Sequence, residues 1–281
     1  MAKEIVKYKN ELNTLHFKGF NSTDLDMLMA LCSKMKDKDE EIMAFDFVYL
    51  KEIMQYRAKD NDRFLKDLDD MNQKLIHVTA SFKTETKRVS FVLFPTFEID
   101  MKKEILRVRV NPDFKFLLNE ISGQFTLFEL QEFTTLKGKY SKNLYRLLKQ
   151  YRRTGTYRID IEEFRKRMDI PGTYKNRDVM EKVLKPAMDE LISMSYFKGL
   201  KLTPVKARKK GSPVVAYEFT FAKSEQIPGQ VSFHDAESFD TYTKTVCKPT
   251  TKKSKNKFND FQQNQYSREE WNSLEDELCE N

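Results

Sequence analysis

The chain has 281 residues, enough for two domains that each bury a core, and carries 50 Lys and Arg against 43 Asp and Glu, a net charge of +7. Cys32, Cys247 and Cys279 are scattered with no CxxC pair, which argues against a disulfide frame or a structural zinc site and fits a reducing cytoplasm. The longest apolar runs, such as Val89–Phe94, are too short to span a bilayer, and the N-terminus around Lys3, Glu4, Lys7 and Lys9 does not read as a targeting peptide, so no membrane partner is expected.

Thr23 and Asp26 form a capping-box pattern for a helix over Ser22–Met35, with Leu25, Leu28, Met29 and Cys32 at helical spacing. Ile42–Phe47 reads as a short strand and Val48–Tyr56 as a helix. Asn61 is expected to cap a third helix with apolar face Phe64, Leu65, Leu68, Met71 and Leu75. Three β-type runs follow, Ile76–Phe82, Val89–Ile99 and Ile105–Val110, with charged turns at Thr84–Lys87 and Asp100–Glu104.

The same order returns after Lys139. Tyr140, Leu144, Leu147, Leu148 and Tyr151 line one face of a helix, Thr156–Ile159 is a short strand, and Ile161–Met168 is a helix stopped by Pro171-Gly172. A third helix runs from near Asn176 to Met194, with Val179, Val183, Leu184, Ala187, Met188 and Leu191 inward and Pro186 expected to kink it. Strands Tyr196–Val205 and Val214–Ala222 flank the loop Lys206–Pro213. Three helices, a strand between the first two and a terminal hairpin make the order of a winged helix. The expected fold is therefore α+β: two tandem winged-helix domains, residues 1–138 and 139–223, followed by a mostly disordered C-terminal tail, 224–281. In that tail apolar residues thin out, apart from a short amphipathic stretch through Trp271, Leu274 and Leu278.

Charge separates the blocks. Residues 1–138 hold 22 basic and 23 acidic side chains, 139–223 hold 21 and 9, and 224–281 hold 7 and 11. A solubilising surface intersperses both signs, whereas one strongly basic block is what phosphate neutralisation requires. Catalytic signatures are missing. No GxxxxGK[ST], GxSxG or HExxH occurs, and His16, His77 and His234 are too separated for an HxH metal motif beside a tyrosine. Neither a metal nor another cofactor is expected. The acidic clusters Asp67, Asp69, Asp70 and Asp37, Asp39, Glu40 read as solvated surface.

Within the basic block, Lys142, Arg146, Lys149 and Arg153 recur at i, i+4, i+7 and i+11, a stripe whose mutual repulsion an external polyanion would offset. The third helix enters the major groove in a winged helix, leading with its N-terminal residues. Here these are Lys175, Asn176 and Arg177, then Lys182 and Lys185, with Arg177 suited to guanine and Asn176 either to adenine or to capping the helix. Lys206, Arg208, Lys209 and Lys210 crowd the hairpin loop as a wing on the phosphate backbone or in the minor groove would. The corresponding third helix of the first half carries Asp60, Asp62, Asp67, Asp69 and Asp70, which repel phosphate.

The run Tyr140-Ser-Lys-Asn-Leu-Tyr-Arg-Leu-Leu-Lys-Gln-Tyr-Arg-Arg-Thr-Gly, with Glu163-Phe-Arg, Ile170-Pro-Gly-Thr-Tyr174 and Val183-Leu-Lys-Pro-Ala187, resembles the iteron-type plasmid replication initiators, the Rep proteins. The resemblance extends in element order over Leu15–Phe221 and leaves the tail uncovered. It implies two winged-helix domains, with monomers bound to direct repeats in double-stranded origin DNA and the second domain giving the main readout. It also implies homodimers through the first domain that repress the protein's own gene, and origin opening that recruits the host replication initiator and replicative helicase. In the tail, Gln230-Val-Ser-Phe233 resembles a degenerate form of the short peptide that docks on bacterial sliding clamps. The main alternative is a tandem winged-helix transcriptional repressor with no replication role; a nicking enzyme using Tyr140, Tyr145 or Tyr151 ranks third.

Overall fold

The computed structural model describes residues 4–38, 41–58, 60–83, 88–112, 115–119, 121, 124–208 and 213–224. The tail beyond Ser224, with Gln230–Phe233 and Trp271, lies outside them.

Alternating residues in Ile5–Lys9 make β1, which buries Val6 and Tyr8, and a 3-10 turn follows over Asn10–Thr14. α1 spans Ser22–Met35. Its capping box is Asn21 with Asp24, each side chain accepting the other's backbone N–H, two residues ahead of the expected Thr23–Asp26 pair. Asp26 is thereby left for another partner. β2 (Met43–Asp46) leads into α2 (Phe47–Ile53), capped by Asp46, and α3 (Asn61–Ile76) is capped by Asp60 rather than Asn61. Phe64, Leu68, Met71 and Leu75 of α3 are buried, as their spacing requires.

The run Val89–Ile99 is two strands, not one. β3 (Thr79–Lys83) pairs with β4 (Arg88–Val92), whereas β5 (Thr96–Asp100) pairs with β6 (Ile105–Arg109). Pro95, which cannot donate to a ladder, lies at the break. β6 also pairs with β2, giving the strand order β2-β6-β5. Then come α4 (Lys115–Leu118), β7 (Phe125–Glu129) and α5 (Leu130–Thr135), which, like β1, the sequence pattern does not predict. β7 closes antiparallel on β1, with Val6 opposite Phe128.

α6 (Lys139–Gln150), β8 (Thr156–Asp160) and α7 (Ile161–Arg167) open the second half. The third helix has three parts: α8 (Asn176–Asp178), a π-helical segment Val179–Leu184, and α9 (Lys185–Ser193). Pro186 has no N–H and its ring clashes with the carbonyl four residues back. Just before it the bonding steps one residue further, Lys185 N–H reaching the Met180 carbonyl. β9 (Lys201–Lys206) and β10 (Val214–Thr220) complete a sheet in the order β8-β10-β9. Both halves thus place the last strand between the first and the second, and the protein is a tandem pair of winged helices in the α+β class.

The core runs through both halves without a break. Tyr145 of α6 links them, its ring 5.3 and 5.9 Å from Phe128 and Phe133 and 5.4 and 5.7 Å from Tyr196 and Phe197. Among the described residues, no helix is long and apolar enough to cross a membrane.

Candidate nucleic-acid interface

The cationic stripe of α6 exists, but three of its four members turn inward. Lys142 is fully buried; its Nζ pairs with Asp26 of α1, donates to the Phe133 carbonyl at 2.9 Å and lies 5.0 Å from the Phe133 ring. Arg146 is equally buried. Its Nε donates to Asn143 Oδ1 at 3.0 Å and Nη1 to Asn13 Oδ1 at 3.1 Å, and the guanidinium lies 4.8 Å from the Phe17 ring. Lys149 Nζ sits 2.7 Å from Glu132 Oε2 of α5. Only Arg153 is exposed. The expectation that this stripe meets DNA is therefore wrong for Lys142, Arg146 and Lys149, because α1, the 3-10 turn and α5 of the first half supply their partners.

Burial leaves its mark on these charges. It pushes the Asp26 carboxyl up to about 7 against the opposing pull of Lys142, shifts the Lys142 ammonium down, and lowers Arg146 to about 10. Arg152 is also enclosed and donates to the Leu127 carbonyl at 3.0 Å. Four cations of the basic block thus hold the two halves together rather than facing solvent.

The third helix keeps its cations outside. Lys175, Asn176, Arg177, Lys182 and Lys185 are all exposed. Lys175 occupies the cap position, its backbone N–H donating to Asp178 Oδ2 at 3.0 Å, so Asn176 is the first helical residue and not the cap. Arg177 is 85% exposed and pairs with Glu181 at 2.9 Å. Lys182 pairs with Asp178 at 2.8 Å and lies 5.1 Å from the Tyr174 ring. Exposed pairs one helical turn apart contribute little and exchange readily for a phosphate or a base edge. In the hairpin, Lys206 and Arg208 are exposed and the loop closes at its base through Ala207 N–H on the Pro213 carbonyl at 2.9 Å; Lys209 and Lys210 lie outside the described residues.

Two features beside this helix have no counterpart in the sequence reading. Arg165 of α7 donates from one Nη2 to the Tyr174 carbonyl at 2.9 Å and to Asn176 Oδ1 at 3.2 Å, fixing the entry of the third helix. Next to it, a groove of about 290 Å³ is lined by His16, Lys18, Arg165, Lys166 and Asp169 among others. Asp169, in a left-handed backbone conformation with φ of 50°, accepts from Gly19 N–H at 3.0 Å and Lys139 Nζ at 3.3 Å, tying the first half to α7. Nothing local marks such contacts, since their members lie far apart in the chain. In the first half, α3 presents Asp62, Asp69 and Asp70 to solvent, in keeping with its acidic sequence.

Comparison with known proteins gives this arrangement a family. Residues 5–149 match the model described as "Initiator Replication protein, WH1", and residues 160–221 match "Initiator Rep protein, WH2". The chain belongs to the initiator replication protein family. A relative named "Probable replication protein rep", from Bifidobacterium longum (strain NCC 2705), is 34% identical over 226 residues, covering 79% of this chain and 74% of the relative. A solved chain of the Pi initiator protein, crystallised in complex with iteron DNA, aligns with a TM-score of 0.59 over 80% of this chain and 100% of that one. At 14% identity that likeness is one of fold. Membership of a replication initiator family favours a replication role over a repressor without one. The first family model also takes in α6, the helix whose cations lock onto the first half.

Proposed function

We propose that this chain initiates plasmid replication in the cytoplasm by binding directly repeated duplex DNA at the origin and promoting its opening, with no ATPase or nuclease of its own. What carries the reading is the exposed cationic edge of the second winged helix, Lys175, Arg177, Lys182 and Lys185 with Lys206 and Arg208, in a chain of the initiator family. Arg177 can give bidentate readout of guanine, while the lysines and the wing neutralise phosphates. A structural relative crystallised on iteron DNA supports the same class of ligand here. The first half, near neutral and acidic along α3, serves homodimerisation and auxiliary DNA contact. As a dimer the protein represses its own gene, and origin opening hands the DNA to the host replication initiator and replicative helicase. Gln230–Phe233 is the candidate clamp-binding segment.

The test uses the full chain. A fragment carrying direct repeats should be footprinted at each repeat and should replicate as a plasmid when this protein is supplied. Protection that ignores the repeats, or a protected fragment that never replicates, overturns the reading.

A further inference from the structure

The amide of Asn176 is already half engaged. Its Oδ1 accepts from Arg165 Nη2 at 3.2 Å, and the same Nη2 is anchored on the Tyr174 carbonyl at 2.9 Å. No bond from Asn176 Nδ2 to a described residue competes for its two hydrogens, and the side chain is exposed at the first turn of the base-reading helix. An asparagine reads adenine by accepting from the N6 amino group through its oxygen while donating to N7 through its nitrogen. Here an approaching N6 amino group would meet an oxygen already bound to a guanidinium, with a second donor and a positive charge beside it. The second lone pair of Oδ1 is left beside that positive charge, which disfavours a further donor there less than it favours an acceptor. The donors at this edge are Nδ2–H of Asn176 and the guanidinium N–H groups of Arg165.

We infer that Arg165 and Asn176 act together as a donor pair that selects guanine, matching its N7 and O6 acceptors, so that Arg165 on α7 determines specificity through the residue it positions. The inference rests on the proposed DNA readout by this helix and reverses the expectation that Asn176 reads adenine. Neighbouring groups favour it: Lys175 and Arg177 are cationic, and Asp178, two residues on, is taken up by the Lys175 N–H and by Lys182. Arg165 supplies this fork from a different helix, so no spacing within the third helix reveals it.

The test is selection of preferred sites from a duplex library by the full-length protein, the Asn176→Ala variant and the Arg165→Lys variant, each checked for its fold by circular dichroism. Asn176→Ala should erase preference at one base pair. At that pair the unaltered protein should favour guanine over adenine by about fivefold or more, the low end for a bidentate contact. Arg165→Lys keeps the charge but cannot hold both oxygens in one fork. Preference at that pair should therefore move toward adenine, a change in specificity that loss of a mere phosphate contact would not produce. Adenine preferred by the unaltered protein overturns the inference, whatever the stability of the variants. So does an Arg165→Lys variant that keeps the guanine preference or weakens all sequences alike. Failure of the wider proposal is separately visible, as loss of the repeat footprint.

Discussion

Replacing Lys142 with methionine separates a structural cation from a DNA-binding one. The Lys142 side chain is 0% exposed and its partner Asp26 13%, so the change strands a buried carboxylate in nearly constant volume. Breaking one side of a buried pair costs about 3–5 kcal/mol. Asp26, already pushed up to about 7, escapes part of that cost by taking a proton, which puts the expected loss near the low end. At roughly 2–4 °C per kcal/mol for a chain of this size, about 3 kcal/mol lowers Tm by roughly 6–12 °C. Without Lys142 the folded-state pKa of Asp26 rises further, above its ordinary value of 3.8 by a wider margin. Through that window the folded protein holds a proton that the unfolded chain lacks. Stability of the variant therefore falls as pH rises, by up to about 1.4 kcal/mol per unit. Thermal unfolding at about pH 8 and pH 6 should show the deficit shrinking at the lower pH, and Lys142→Met with Asp26→Leu should recover most of it. Salt titration of DNA binding should give an unchanged slope. A variant that melts like the unaltered protein and loses about one unit of salt slope would place Lys142 on the DNA and refute the argument.

Four further outcomes are expected. Arg177→Ala should cost roughly 1–3 kcal/mol of binding and relax preference at one base pair, measured by competition between single-substitution sites. Arg208→Ala should weaken all sequences alike and lower the log–log salt slope by about 0.9, as read by anisotropy. Asn13→Ala removes an amide that bonds Tyr8, Arg146, Thr126 and Gln150, leaving the Arg146 guanidinium short of an acceptor; urea unfolding should show a loss of about 1.5–3 kcal/mol. A fragment of residues 139–223 exposes the inward face of α6 and should show molten spectra or aggregate, so a cooperatively folding fragment would count against the interlock.

Much of the fold could be read from local pattern, because local pattern dictates it. The apolar faces of α1 and α3 follow helical spacing, and both hairpin wings follow strand propensity between charged turns. The failures are long-range. Ile5–Lys9 alternates as a strand should, yet its partner strand is remote in the chain, and only the pairing that sets Ile5 opposite Glu129 makes it a sheet. The stripe on α6 shows the complementary problem. Period tells which residues share a face but not what covers it, and the covering groups, Asp26, Glu132 and Asn13, come from three separate elements. Caps moved for a smaller reason: Asn21 and Asp60 each stand at the extended residue just before their helix, where a side chain can reach back to free N–H groups, whereas Thr23 and Asn61 are already helical. On the third helix, Lys175, Arg177, Lys182 and Lys185 are exposed, as the sequence pattern leads one to expect, since helical phase against Val179, Val183 and Leu191 leaves them no other side.

The π-helical segment Val179–Leu184 sets the angular relation between the two ends of the third helix. Ahead of it stand the exposed Asn176 and Arg177; behind it Ala187 and Leu191 are seated in the core. One residue of an α-helix subtends about 100° about the axis. The wider turn takes in one more residue for nearly the same rotation, so a one-residue deletion inside the segment would restore ordinary winding with the two ends close to their present phase, whereas the same deletion in α9 would swing them apart by about that angle. The wide turn thus works as a phase adjuster, holding Asn176 and Arg177 outward while Ala187 and Leu191 stay in the core.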